Sequence, residues 1–138
     1  AVMANSLRAS LRSAHEDIDE VELERLVERE RLKPLRAPVV IAVAVAPSDN
    51  PKAVEIEEIA SVAAGIQNML LAAEALGLGA MWRTGRPARD PAVKRFLGFP
   101  ENAHLLAFVY LGYPDLPEHQ PRRRSAQQLI RWLGWESD

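Results

Sequence analysis

The sequence predicts a layered domain, α/β or α+β, in which helices cover a sheet. Three observations predict it. A long apolar run with helical spacing occupies 59–76. Two continuously apolar runs of strand length lie at 39–46 and 105–111. A short run at 79–81 leaves the long helix through a glycine turn. The order is helix, strand, helix, strand, helix, strand. Periodicity does not reveal strand direction.

The chain has 138 residues, which suits one domain, 1–138, around one core. Hydrophobic content of 48% and charged content of 26% place it among ordinary globular chains. A net charge of −2 gives no general attraction to nucleic acid. There is no cysteine, which excludes disulfides, thiolate nucleophiles and iron–sulfur ligation. A cytosolic setting fits this composition. Residues 1–20 lack the unbroken apolar core of a signal peptide.

Residues 1–14 read as a helix with Val2, Met3, Leu7 and Leu11 on one face. Asp17 or Asp19 can cap a second helix that runs to about Leu32. Its glutamates and arginines, Glu22 to Arg31, read as a solvated face in which opposite charges three or four apart help a little. Pro34 stops this helix, and Pro38 sets an extended approach to the strand at 39–46. That strand is continuously apolar, so both its faces should be covered. Pro47 to Pro51 form a loop. In the central run, Ile59, Val62, Ala63, Ile66, Met69, Leu70, Ala73 and Leu76 recur at helical spacing, and most other positions are small or apolar. Such a helix is expected to be packed on several sides, and to be a core helix rather than a membrane span, because Gln67, Asn68 and Glu74 interrupt it. Gly77 ends it. The strand at 79–81 opens into Trp82, Arg83, Thr84 and Gly85. Asp90-Pro91 starts a short helix ended by Gly98, and the strand at 105–111 ends in Gly112-Tyr113-Pro114. A proline-rich tail follows, with Arg122, Arg123 and Arg124, a helical stretch from Gln127 to Leu133, and Trp135.

No side-chain chemistry announces itself. His15, His104 and His119 are scattered without metal spacing, so no metal site is expected. There is no nucleophile elbow, P-loop or zinc motif. Gly77-Leu78-Gly79 precedes a strand and so is not the dinucleotide fingerprint. Glu57 and Glu58 are adjacent on a helix and point different ways, and capping explains them.

Seven segments, in order, carry a resemblance. They are the charged helix; Arg36-Ala37-Pro38 before an apolar strand; the alanine-rich helix with Gln67-Asn68; the Ala75-Leu76-Gly77-Leu78-Gly79 turn; Trp82-Arg83-Thr84-Gly85; Leu97-Gly98; and Tyr110-Leu111-Gly112-Tyr113-Pro114. Together they resemble the flavin-dependent nitroreductase family, in particular its YdjA-like group of NAD(P)H nitroreductases.

The resemblance implies an α+β fold, a mixed sheet flanked by helices in three layers, α/β/α. It implies an obligate homodimer with FMN in clefts at the subunit interface. It implies flavin contacts at Trp82, Arg83, Thr84 and Gly85, and nicotinamide-nucleotide contacts at Ala72, Ala73, Glu74, Ala75, Leu76 and Gly77. For Trp82 the alternative is a core aromatic; for 72–77 it is a helix end in the core. The implied reaction is ping-pong: NAD(P)H reduces the flavin and leaves, and a nitroaromatic, quinone or similar small acceptor is reduced in the same cleft. With no nucleophile in the chain, such an enzyme works through its cofactor, and no protein residue is expected to be catalytic in its own right.

Two features depart from the family pattern. Family members begin with a helix bearing an Arg-Arg-Ser type motif for the FMN phosphate, then a second helix and a strand. None lies ahead of Ala1, so the domain is expected to be incomplete at its N-terminus and, as a fragment, to bind FMN poorly. Arg123-Arg124-Ser125 spells the same letters at the other end. Arg124 is therefore either near the phosphate or part of a solvated basic run. The alternative function is a flavin-free α/β binding or regulatory module of the same fold.

Overall fold

The computed structural model describes residues 1–14, 17–115, 123–131 and 133–134. His15, His119, Arg122 and Trp135 lie outside the described residues. The elements are α1 (Val2–Ala14), α2 (Glu20–Leu32), a 3-10 turn (Lys33–Arg36), β1 (Val39–Val45), α3 (Glu55–Ala75), β2 (Gly79–Arg83), α4 (Arg86–Arg89), α5 (Pro91–Phe96) and β3 (His104–Gly112).

The sheet has the order β1-β3-β2, and both pairings are antiparallel. The described strands thus contribute only antiparallel neighbours to the mixed sheet that the resemblance implies. β3 is central, and its buried Ala107, Phe108 and Val109 form the middle of the core. One face of the sheet, with Ile41, Val43, Ala107, Val109 and Leu111, receives Ile66, Val62 and Leu70 of α3. The other face, with Val40, Ala42, Phe108 and Tyr110, receives Val93 of α5 and Val2 and Met3 of α1. Helices on both faces give the three layers. A smaller cluster, Ala4 with Leu23 and Val27, joins α1 to α2.

The pairing of β1 with β3 contains a β-bulge. Val43 pairs with Ala107, but Ala44 pairs with Leu105. Leu106 is the extra residue, and it packs on the α3 side beside Ala107, while Leu105 packs on the α5 side.

Several boundaries and environments differ from the expectation. The central helix begins at Glu55, because Glu55, Glu57 and Glu58 fill its first turn, where carboxylates suit the helix dipole. It is covered on one side only. Ile66 and Ala73 are its buried residues, while Ala60, Ala64, Leu71, Ala72 and Ala75 are exposed. Only one sheet face lies against it, and nothing among the described residues covers its back. Glu58 also accepts the Ser48 N–H at 3.1 Å, which anchors the 47–51 loop. Asp19, not Asp17, caps α2, accepting the Glu22 N–H at 3.3 Å. The charge run is solvated at Arg25–Glu22 and Arg31–Glu28, but Glu30 is buried. Of the expected helix at 127–133, the described residues form a 3-10 turn over Ala126–Gln128.

Candidate functional site

β2 is longer than the sequence indicates, and this sets the site. Trp82 and Arg83 belong to the strand, so their side chains leave on opposite faces. Trp82 packs on the α3 side, near Ile66. Its indole N–H donates to the carbonyl of Leu106, the bulge residue, at 3.1 Å. Trp82 therefore has the surroundings of a core aromatic with its polar tip satisfied.

Arg83 turns to the other side with Met81. Met81 lies opposite Tyr110 in the register, and Arg83 is the diagonal neighbour of Tyr110. These three, with Lys33, Arg36 and Ala37, line a cleft of 190 Å³. The strand then ends at Thr84 and Gly85. Together with Arg86 and Pro87 they form one wall of a second cavity, of 330 Å³; Ser6 and Leu7 of α1 and Arg29 and Glu30 of α2 form other walls. Lys33 borders both cavities, so they adjoin. Arg86 fixes the loop by donating to the Ser10 hydroxyl of α1 at 3.1 Å. Gly85 has a φ of +106°, which glycine adopts without strain. A Cβ built there meets no atom within 4 Å, so its backbone borders open space.

The electrostatics centre on α2 and the turn after it. Glu30 is 7% exposed, and its Oε2 accepts from the Lys33 ammonium at 2.5 Å. Its Oε1 is buried with no partner among the described residues. Burial pushes the Tyr110 phenol above its ordinary range; Arg83 opposes this, Glu30 adds to it and Arg36 opposes it. Three charged groups thus act on one hydroxyl.

The residues that the resemblance implied do not all meet. Arg83, Thr84 and Gly85 border the two adjoining cavities. Trp82 is on the α3 side of the sheet. Ala72 to Ala75 form the last turn of α3, and Leu76 and Gly77 its cap and the turn after it. There the Gly77 N–H bonds the Glu74 carbonyl and the Leu78 N–H bonds the Ala73 carbonyl, each at 2.9 Å, with Gly77 at φ +74°. Arg124 is exposed and lines neither cavity. Sequence reasoning missed Lys33, Arg36 and Tyr110, and read Glu30 as solvated. Tyr110 carried a usable signal: a phenol inside an apolar strand needs a partner for its hydroxyl. Lys33 and Arg36 carried none, because their meeting with β2 is a tertiary event.

Comparison with known proteins places this geometry. The pattern of the nitroreductase family matches residues 3–113. The chain is 32% identical over 93 residues to the Escherichia coli protein named "Putative NAD(P)H nitroreductase YdjA", covering 67% of this chain and 51% of that protein. It thus spans about half the length of that curated relative. A nitroreductase-like family protein from Bacillus cereus has the same fold, with a TM-score of 0.71 at 20% identity, over 96% of this chain and 66% of the other. A Bacteroides fragilis nitroreductase with bound FMN gives a TM-score of 0.57 at 26% identity, over 96% of this chain and 71% of the other. Matched through both sheet faces and through the β2 end that borders the cavities, the chain belongs to the nitroreductase family as a YdjA-like member.

Proposed function

We propose that the protein containing this chain is an FMN-dependent oxidoreductase that uses NAD(P)H to reduce small organic acceptors such as nitroaromatics or quinones. The observation that carries the reading is the gathering of Arg83, Thr84 and Gly85 around adjoining cavities in a nitroreductase-family chain. The FMN bound by the Bacteroides fragilis relative and the NAD(P)H in the name of the Escherichia coli relative support it.

The residues present fit part of such a cofactor. The open space beside Gly85 admits a flat ring against the backbone. The larger cavity is at the small end of the ~300–1,000 Å³ of ordinary ligand sites, so it takes a portion rather than the whole. Bound flavin supplies the two-electron redox chemistry that this chain's side chains lack. Thr84 and Gly85 would border the ring, and Arg83 would offset negative charge on the cofactor. Leu7, Leu11 and Pro87 supply the apolar part of the lining and limit water. We propose a homodimer as the working unit, because the exposed Ala60, Ala64, Leu71, Ala72 and Ala75 face of α3 needs cover. Nicotinamide contact at 72–77 and phosphate contact at Arg124 belong to this proposal as well.

A second reading, a flavin-free module of the same fold, is favoured by one observation. The Trp82 indole is committed to Leu106 and stands on the other side of the sheet from the cavities. The visible absorption spectrum separates the two. The enzyme reading expects a flavin spectrum, after purification or FMN addition, that bleaches with NAD(P)H under exclusion of oxygen. A protein that stays colourless with excess FMN overturns it.

A further inference from the structure

The chain has three methionines. Met3 packs against the core on the α5 side of the sheet, and Met69 is half-buried in α3. Met81 differs, since it is 55% exposed on β2. Among the described residues β2 pairs with β3 alone, so Met81 lies on an edge strand. Its sulfur also has a charged partner. The Arg83 guanidinium, two residues along the same strand face, donates to the Met81 Sδ at 3.8 Å.

A thioether sulfur is a weak acceptor, so this contact holds Arg83 only loosely. Oxidation changes that. A hydroperoxide transfers its outer oxygen to sulfur: a sulfur lone pair forms the S–O bond, the O–O bond breaks, and the leaving oxygen takes up the proton. Sulfur is oxidised, the hydroperoxide is reduced to an alcohol or water, and a flexible apolar side chain becomes polar and chiral at sulfur. The new oxygen is a far better acceptor, and a hydrogen bond to it from a guanidinium is charge-assisted, about twice as strong as a neutral one. Arg83 also sets the stereochemistry. It covers one of the two sulfur lone pairs, so oxygen adds at the other and one sulfoxide epimer forms in excess.

We propose that Met81 is an oxidation site, converted by a hydroperoxide to a sulfoxide whose oxygen accepts from the Arg83 guanidinium. Exposure on the β2 edge admits the oxidant, and the guanidinium already at the sulfur receives the product. Both residues line the 190 Å³ cleft, so the sulfoxide ties down a cation on its wall. Neither the oxidation nor the hold on Arg83 depends on a bound flavin.

The test adds dilute hydrogen peroxide to the native protein and maps the peptides by mass spectrometry. Met81 should gain one oxygen about fivefold or more faster than Met3 and Met69, because susceptibility follows exposure. In urea the three rates should converge. Treatment with the two epimer-specific methionine sulfoxide reductases should find one Met81 epimer in roughly threefold excess or more in the native protein, and near-equal amounts in urea and in Arg83→Gln. A native Met81 rate no faster than that of Met3 or Met69 overturns the site, and equal epimers in the native protein overturn the part given to Arg83. The wild type decides both outcomes without any substitution. The hold on Arg83 is read with an arginine-selective dicarbonyl reagent. Peroxide treatment should slow the labelling of Arg83 by roughly threefold or more, and the reductases should restore it. Met81→Leu, which peroxide does not oxidise, should show no slowing. Unchanged labelling of Arg83 in a protein that carries Met81 sulfoxide overturns the hydrogen bond.

Discussion

Trp82→Phe separates two roles that the same residue could play. The indole N–H reaches the Leu106 carbonyl at 3.1 Å, and the ring packs half-buried near Ile66. Phenylalanine keeps the ring and deletes the donor. A lost hydrogen bond of this kind costs about 1 kcal/mol. The smaller ring gives up on the order of 20 Å² of buried apolar surface, which adds roughly 0.5 kcal/mol at ~25 cal/mol per Å². The expected destabilisation is therefore about 1.5 kcal/mol, from those two contributions. In urea denaturation, with slopes of about 1–3 kcal/mol/M, the midpoint should fall by roughly 0.5–1.5 M. The slope itself should not change, since the fold is kept. FMN affinity, measured on the same samples, should stay within about twofold if the side chain is structural. An unchanged midpoint accompanied by a tenfold loss of FMN affinity would refute the reasoning and move Trp82 to the cofactor.

Other consequences are equally direct. Ile66→Ala empties a site that is 1% exposed beneath β3, and it should cost about 2–5 kcal/mol by urea denaturation. A cost under about 1 kcal/mol would mean that α3 is not seated on the sheet as described. Asp19→Ala removes the α2 cap and should cost about 1 kcal/mol, whereas Asp17→Ala should cost little. Ultraviolet titration should show one tyrosine ionising above the ordinary range, because burial raises Tyr110. Arg83 opposes that rise, so Arg83→Gln should move the transition still higher. The sign follows for stability: a phenol whose folded pKa is raised favours the folded state below its unfolded pKa, and that advantage disappears as pH climbs through the raised value. A transition that moves down in Arg83→Gln would place Arg83 away from Tyr110.

Much of this architecture could be read in advance, and the reasons are physical. The runs at 39–46 and 105–111 are strands because continuous apolar sequence of that length suits a sheet covered on both faces. Asp90-Pro91 and Gly77 mark helix ends by local backbone chemistry, which needs no tertiary information. The site was legible only in part. Arg83, Thr84 and Gly85 were found through the resemblance, and the fold gathers them at two cavities. The strand pleat, however, sends Trp82 the other way, and a pleat phase depends on where the strand starts and stops. Glu30 misled because its neighbours Glu28 and Arg31 are solvated, and one helical step decides which side of α2 faces inward. Lys33 and Arg36 meet Tyr110 across more than seventy residues of chain, which no local pattern records.

The irregularity at Leu106 has a consequence for how this chain could be edited. Leu106 and Ala107 face the same layer, so excising Leu106 alone would let Val43–Ala107 and Ala44–Leu105 follow one another without interruption. Every other side chain would keep its layer. The lost atoms would be one leucine side chain and the carbonyl that holds Trp82. A single-residue deletion in a central strand ordinarily turns the remaining side chains inside out. Here it would leave a smoother ladder, a freed indole and a β2 end no longer tied to β3 at that point. The surplus residue is therefore a fastener between two strands that the hydrogen-bonded ladder does not itself require.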